Sequence, residues 1–176
     1  MEFLKVHDKT FKTFISAAQI QAQIDRIAKD IDDKYRNEKP LFIAILNGSF
    51  IFAADLLRCL KIQCDISFVK VSSYQGTSSG QMTELIGLNY PIKNRPIIII
   101  EDIVDTGNTL HKILPGIKAK HPKSIEIASL LCKPAAIEFP IEVTYSCFDI
   151  PNAFVIGYGL DYNNLGRQYK DIYQAC

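Results

Sequence analysis

The 176-residue chain lacks several features that mark other classes of protein. Its five cysteines form no Cys-x-x-Cys pair, and its three histidines show no metal-ligand spacing. No apolar run approaches the roughly 20 residues of a membrane span, and the first residues are too polar for a signal peptide. We therefore expect reduced thiols and a cytoplasmic location.

An excess of charge of one sign is also missing. Lys and Arg number 20 against 19 Asp and Glu, which gives a formal net charge of +1. This balance gives no electrostatic case for binding nucleic acid or an anionic membrane surface. The Gly-x-x-x-x-Gly-Lys-Ser/Thr loop of nucleotide hydrolases is absent, and so is a Gly-x-Ser-x-Gly motif around Ser49. Both nucleotide hydrolysis and serine-nucleophile chemistry are therefore disfavoured.

The segments that are present alternate between strand-like and helix-like patterns. A capping box at Ser16–Gln19 opens an apolar helical repeat that runs to about Tyr35. Apolar strand patterns recur along the chain at 41–46, 64–71, 97–100, 124–132 and 154–158. We predict one α/β domain over residues 1–176, with a doubly wound, mostly parallel twisted sheet of about five strands and helices on both faces.

Two regions resist a simple assignment. Residues 1–15 are weakly patterned. Pro115-Gly116 interrupts a helix that should otherwise run from the loop after residue 105 to about Ala119. Because proline removes a helical hydrogen bond, the pair predicts a kink or an early stop.

The most informative stretch follows the four buried isoleucines at 97–100. Two adjacent carboxylates, Glu101 and Asp102, precede an Asp-Thr-Gly-Asn-Thr loop and a new helix. Ligands of open α/β sheets lie beyond the carboxyl ends of the strands. Backbone N–H groups, threonine hydroxyls and a helix N-terminus form a phosphate cradle, and Gly107 lets the backbone approach an anion. Neighbouring carboxylates are explained by bound Mg²⁺ or by sugar hydroxyls.

The simpler alternative is a buried strand with two solvated acids and an ordinary helix cap. These features are common separately and rare in this order. The run from Glu101 to Thr109 closely resembles the phosphoribosyl pyrophosphate signature of type I phosphoribosyltransferases. Its Glu-Asp form is similar to the hypoxanthine-guanine branch of that family.

The resemblance implies a binding site for phosphoribosyl pyrophosphate. Glu101 and Asp102 would hold the ribose hydroxyls and Mg²⁺, and Asp105 would act as general base at ring nitrogen 7 of the purine, or form a hydrogen bond with it. Asn47-Gly48 matches the pyrophosphate loop, although relatives often have lysine at the first position. The residues implied for this substrate are Asn47, Gly48, Glu101, Asp102, Asp105, Thr106, Gly107, Asn108, Thr109 and Arg167.

Further matches concern the base and the closure of the site. Phe154 would stack on the purine, the Val155 backbone would read its edge, and Asp161 would lie near the base and a second metal. Lys133, at a strand end, is the candidate contact for the base. Ser73-Tyr74, before a run of small polar residues, resembles a flap that closes over the site.

The activity implied is transfer of the phosphoribosyl group to hypoxanthine, and to guanine, with release of pyrophosphate. A small cap (hood) from the chain ends and residues 158–176 would cover the purine pocket, and assembly into a homo-oligomer (dimer or tetramer) is expected. Two rivals stay open: an RNA-binding regulator on the same fold, which the near-zero net charge disfavours, and a non-catalytic α/β binding module. The module would lack the flap and the purine strand.

Overall fold

The computed structural model describes residues 3–73, 83–86 and 90–176. Its elements, in chain order, are β1 (Phe3–Val6), β2 (Lys9–Ile15), α1 (Ala17–Lys34), β3 (Leu41–Leu46), α2 (Phe50–Cys59), β4 (Asp65–Ser73), β5 (Thr83–Ile86), β6 (Pro96–Val104), α3 (Asn108–Lys118), β7 (Ser124–Cys132), a short 3₁₀ helix (Pro134–Ala136), β8 (Tyr145–Asp149), β9 (Val155–Ile156) and β10 (Ile172–Ala175).

The larger sheet has six strands in the order β5-β4-β3-β6-β7-β8. Strands β4, β3, β6, β7 and β8 are parallel, and β5 is antiparallel to β4. Residues Ile98 and Ile100 of the central strand β6 pack with α1 and α2, whereas Ile97 and Ile99 pack with α3. The predicted doubly wound, mostly parallel sheet is confirmed, because helices cover both of its faces.

Helix α1 is organised by the capping box and by its apolar repeat. The Ser16 hydroxyl accepts a hydrogen bond from the Gln19 N–H, and the Gln19 side chain accepts one from the Ser16 N–H. The buried face of the helix consists of Ile20, Ile24, Ile27, Ala28 and Ile31. The sequence therefore located this helix to within one residue at each end.

The chain ends form a second sheet, in the order β1-β2-β10-β9. Strands β1 and β2 lie in the region that the sequence left without a pattern. The predicted strand over 154–158 is too long, since β9 spans only Val155–Ile156. It ends there because Gly157, Tyr158 and Gly159 all have positive φ angles, which a strand does not accommodate.

Helix α3 continues through Pro115-Gly116 to Lys118, so the predicted early stop is wrong. Its apolar side, formed by Leu110, Ile113 and Ile117, is fully buried against the larger sheet. Burying three such side chains contributes roughly 5–9 kcal/mol, which exceeds the about 3 kcal/mol that an interior proline costs.

We predict that Gly116→Ala stabilises the protein. A Cβ at Gly116 would meet no atom within 4 Å, and alanine is about 1 kcal/mol better than glycine inside a helix. Urea unfolding should therefore show a gain of about 1 kcal/mol with unchanged activity. A neutral or destabilising result would mean that the Pro115-Gly116 pair has a role that requires glycine.

Candidate active site

The two adjacent carboxylates lie on the central strand β6. The sequence suggested that Glu101 and Asp102 close this strand. The strand instead runs on to Val104, so both acids lie within it. Glu101 pairs in register with Ser129 of β7 and is only 5% exposed. Side chains on the central strand of a doubly covered sheet are buried by default, so Glu101 loses nearly all of its solvent, and Asp102, at the edge of the cavity, keeps part of it.

Burial governs the electrostatics of the pair. It raises the pKa of Glu101 well above its usual range, and the neighbouring Asp102 charge raises that pKa further. Burial also raises the pKa of Asp102, partly offset by the backbone N–H groups of Asp102 and Ile103 and by the Arg167 guanidinium. Burial is the main cause of both shifts, so the charged forms of the pair are disfavoured in the protein alone.

A cavity of about 520 Å³ opens at the carboxyl end of β6 and β3. It is lined by all the residues predicted for phosphoribosyl pyrophosphate, together with Asp161. The structure thus brings together segments near residues 47, 101, 105 and 167. Apolar wall residues that the sequence reading missed are Ile45, Leu46, Ile103, Val104 and Leu110.

The loop at 105–109 has the form of an anion cradle. Gly107 has φ +82° and precedes α3, and the Thr106 hydroxyl accepts a hydrogen bond from the Asn108 N–H at 3.3 Å. The loop is supported from behind: the Glu138 N–H donates to the Thr106 carbonyl at 3.0 Å, and Ile141 packs against Gly107. The helix N-terminus therefore faces the cavity with a fixed backbone.

At the cavity, two glycines, Gly48 and Gly159, pack closely against neighbouring groups. The Leu46–Asn47 peptide bond is cis, and Gly48 lies directly against Asp102, since a Cβ at Gly48 would be 1.5 Å from Asp102 Oδ2. Gly159 in turn lies against Gly48, because a Cβ there would be 2.1 Å from the Gly48 carbonyl oxygen. At Gly159 only glycine permits this approach, because the neighbouring atom belongs to the backbone and φ is +100°; at Gly48 a side chain would displace the Asp102 carboxylate.

Arg167 contacts both the Gly159 backbone and Asp161. Its Nη1 donates to the Gly159 carbonyl at 2.7 Å, and its Nη2 lies 2.6 Å from Asp161 Oδ1. The other Asp161 oxygen accepts from the Asn164 N–H at 2.7 Å. The Arg167 guanidinium is therefore fixed beside Gly159 at the cavity, in a position that suits binding of an anionic group.

The residues predicted for the purine are arranged less compactly. Lys133 is buried, and its ammonium lies 2.7 Å from Asp105 Oδ2 and 3.2 Å from Asn152 Oδ1. Phe154 is 45% exposed and meets Tyr162 edge-on, with ring centroids 5.3 Å apart. Lys133, Phe154 and Val155 do not line the cavity, but Lys133 contacts Asp105, which does. The Asn152 contact had no signal in the sequence.

The structure also bears on two further residues of the sequence interpretation, Ser49 and Ser73. Ser49 is fully buried and donates its hydroxyl hydrogen to the Ile45 carbonyl, so it is not an exposed nucleophile. In the proposed flap, Ser73 is the last residue of β4, and Tyr74 lies outside the described residues.

The described residues contain no group of three or more His, Cys, Asp or Glu placed to hold a metal ion. Asp161 is paired with Arg167 and Asp105 with Lys133, so Glu101 and Asp102 are the acids of the cavity without a salt bridge to another described residue. This donor set fits Mg²⁺, which proteins commonly bind through one or two carboxylates while substrate phosphates complete the coordination.

Comparison with known proteins agrees with this geometry. The phosphoribosyl transferase domain model matches residues 16–163, so the chain belongs to that family. Within it, the chain is 40% identical to a hypoxanthine phosphoribosyltransferase of Buchnera aphidicola, covering 87% of this chain and 89% of the relative. It is 39% identical to a hypoxanthine-guanine phosphoribosyltransferase of Mycobacterium avium, covering 90% and 80%.

A solved structure gives the same result for the fold. The hypoxanthine-guanine phosphoribosyltransferase of Bacillus anthracis superimposes with a TM-score of 0.86 at 33% identity, covering 94% of this chain and 98% of that one. Among the described residues, no helix is long and apolar enough to cross a membrane.

We predict that Gly159→Ala weakens binding of phosphoribosyl pyrophosphate by roughly tenfold or more. The added Cβ would overlap the Gly48 carbonyl and push the Gly159 and Gly48 backbones apart, at a cost of at least about 1.4 kcal/mol. Gly166→Ala is the matched control. Gly166 also has a positive φ, but its Cβ would meet only the Ile156 side chain, at 3.3 Å. Equal losses in both variants would show that backbone conformation alone is responsible.

Proposed function

We propose that the chain transfers the 5-phosphoribosyl group from phosphoribosyl pyrophosphate to hypoxanthine, and to guanine, releasing pyrophosphate and forming IMP or GMP in purine salvage. The observation that carries the proposal is one cavity in which the Glu101–Asp102 pair, a phosphate-type loop and a fixed arginine meet. The named activities of the relatives support it.

Each wall of the cavity has a proposed part in binding the sugar donor. The 105–109 loop and the N-terminus of α3 bind the 5′-phosphate. Asn47, Gly48 and Arg167 bind the pyrophosphate group through backbone N–H groups and a charge-assisted contact. Glu101 and Asp102 hold the ribose hydroxyls. The role of the loop at Asn47 relies on its backbone, because asparagine lacks the charge that relatives often have there.

Mg²⁺ held by Glu101 and Asp102, with Asp161 nearby, would neutralise the departing pyrophosphate. The carboxylates themselves explain why a cation is needed. Their pKa values are raised because burial leaves their charge uncompensated, and the pyrophosphate group brings further negative charge into the same cavity.

The Lys133–Asp105 pair supports the proposed handling of the base. Oxygen 6 and nitrogen 7 lie on the same edge of a 6-oxopurine. An ammonium only donates hydrogen bonds, so Lys133 suits oxygen 6, and the neighbouring Asp105 carboxylate suits a proton on nitrogen 7. Asp105 then removes that proton as the bond to the sugar forms. Phe154 supplies stacking for any purine, and Val155 and Asp161 contact the edge of the base.

The alternative function, an RNA-binding regulator on this fold, finds no support in the named relatives or in the net charge. Closure of the Ser73-Tyr74 flap, a hood over the purine formed by the second sheet, a single domain over residues 1–176, assembly into a dimer or tetramer and a cytoplasmic location stay predictions.

An activity panel tests the proposal. With phosphoribosyl pyrophosphate and Mg²⁺, hypoxanthine and guanine should be converted, xanthine only weakly. Adenine should be disfavoured by at least about 10²-fold in kcat/KM, because its amino group would oppose the Lys133 ammonium. A chelator should abolish turnover, and added Mg²⁺ or Mn²⁺ should restore it. Comparable rates with adenine would overturn the Lys133 assignment, and full activity without metal would overturn the role of the acidic pair.

The role of Asp105 is tested separately. Asp105→Asn should lower kcat by about 10²-fold or more, the usual scale of general acid–base catalysis, and change the affinity for phosphoribosyl pyrophosphate much less. Asp33→Asn is the control, because Asp33 pairs with Arg36 at the surface of α1. If Asp105→Asn kept its kcat and lost substrate affinity, Asp105 would belong to the phosphate loop alone.

A further inference from the structure

Three consecutive residues near the cavity have left-handed backbones. Gly157 and Gly159 have φ +100°, and Tyr158 between them has φ +49°. Glycine accepts such angles freely, but a bulky aromatic residue does so only when its surroundings hold it there. The contacts of Tyr158 should therefore show what this conformation serves.

Tyr158 is held by helix α2. Its ring is buried, and its hydroxyl donates to the Asp55 carboxylate across 103 residues of sequence. Burial raises the pKa of Tyr158, so the hydroxyl remains a neutral donor at any working pH. The Tyr158 N–H also donates to the Tyr169 carbonyl at 2.7 Å. Helix α2 begins at Phe50, directly after the cis-peptide loop that lines the cavity.

The residue after Tyr158 lies at the point where two groups of the cavity meet. Gly159 packs against the carbonyl of Gly48, and its own carbonyl accepts the Arg167 guanidinium at 2.7 Å. Its N–H donates to the Arg167 carbonyl at 3.0 Å. A shift of the 157–159 backbone would therefore move Gly48 and Arg167 together.

We propose that the Tyr158–Asp55 pair is a positioning device for the pyrophosphate half of the site. It anchors the 157–159 backbone to α2, and so keeps the Gly48 backbone and the Arg167 guanidinium in the arrangement that receives the leaving group. Neither side chain lines the cavity, so both act through other residues. The inference rests on the proposed function for the identity of the ligand, and on the contacts above for the coupling.

A purely structural hydrogen bond is the competing explanation, and the chain offers a matched control. Tyr145 is equally buried, and its hydroxyl donates to the Glu126 carboxylate at 2.8 Å. Neither of these two residues lines the cavity. Tyr158→Phe and Tyr145→Phe thus remove the same kind of bond, and both should lower stability, but only the first should affect the pyrophosphate site.

The experiment measures pyrophosphate binding by calorimetry in the presence of Mg²⁺, and the KM values of both substrates. Tyr158→Phe should weaken pyrophosphate binding and raise the KM for phosphoribosyl pyrophosphate by roughly 3- to 10-fold, the usual scale of one lost hydrogen bond. The KM for hypoxanthine should change less than about twofold, and Tyr145→Phe should leave all three values near those of the unmodified chain.

Variants of the partner residue complete the test and remain available if Tyr158→Phe fails to fold. Asp55→Asn keeps an acceptor oxygen for the hydroxyl and should behave like the unmodified chain. Asp55→Ala should reproduce Tyr158→Phe, and the double variant should be no worse than either single one. Equal effects of Tyr158→Phe and Tyr145→Phe on pyrophosphate binding, or fully additive effects of Tyr158→Phe and Asp55→Ala, would overturn the proposal. If the unmodified chain binds pyrophosphate but forms no IMP, the proposed function fails and the coupling is still decided by calorimetry.

Discussion

The placement of two neighbouring carboxylates within the central strand, one of them buried and the other partly buried, is the constraint on which the site depends. A buried charge is costly unless it is paired, and Glu101 and Asp102 lie next to each other on a strand whose preceding residues are covered on both faces. Burial raises the pKa of both groups, so their charged forms are disfavoured in the protein alone. This acidic pair is unfavourable for folding. We attribute it to the proposed reaction, in which a cation and the sugar hydroxyls would bind the two carboxylates.

The surrounding backbone is shaped by the same pair. Asp102 occupies the space in which Gly48 would carry a side chain, and Gly48 occupies the corresponding space at Gly159. A side chain at either glycine would displace its neighbour, so Asp102 and these two loops, which are distant in sequence, lie in direct contact. Arg167, bonded to Gly159, is brought near the acids by this stacking and supplies part of the missing positive charge.

The sequence predicted those parts of the structure that depend on local pattern. Periodicity and the capping box located α1, and the uninterrupted isoleucines located the central strand. The contiguous motif at 101–109 could be read because its groups follow one another in the chain. Strands β1 and β2 were not predicted, since the sheet that holds them is completed by β2 pairing with β10 at the other end of the chain. The contacts of Lys133 with Asn152 and of Tyr158 with Asp55 are also invisible to local pattern, because they join separate segments. Pro115 was misjudged for a related reason: the buried face of α3 outweighs a local preference.

The division into two sheets separates the two binding tasks that we propose. The phosphate loop, the acidic pair and the Asn47-Gly48 loop all follow or lie within strands of the larger sheet. Phe154 and Val155 belong instead to the second sheet or its border, where Tyr162 supports Phe154 and is itself bonded through its hydroxyl to Asp8 in the β1–β2 turn. Stacking on the base thus depends on packing between the chain ends, whereas sugar-phosphate binding depends on the central strand. The two sheets share one buried core, to which the second sheet contributes Ile15, Val155 and Ile172, and Gly159 lies directly against Gly48 of the cavity. Because Gly159 follows β9 closely in the chain and lies against the Gly48 loop, a displacement of the 157–159 backbone should change the position of the base relative to the sugar phosphate.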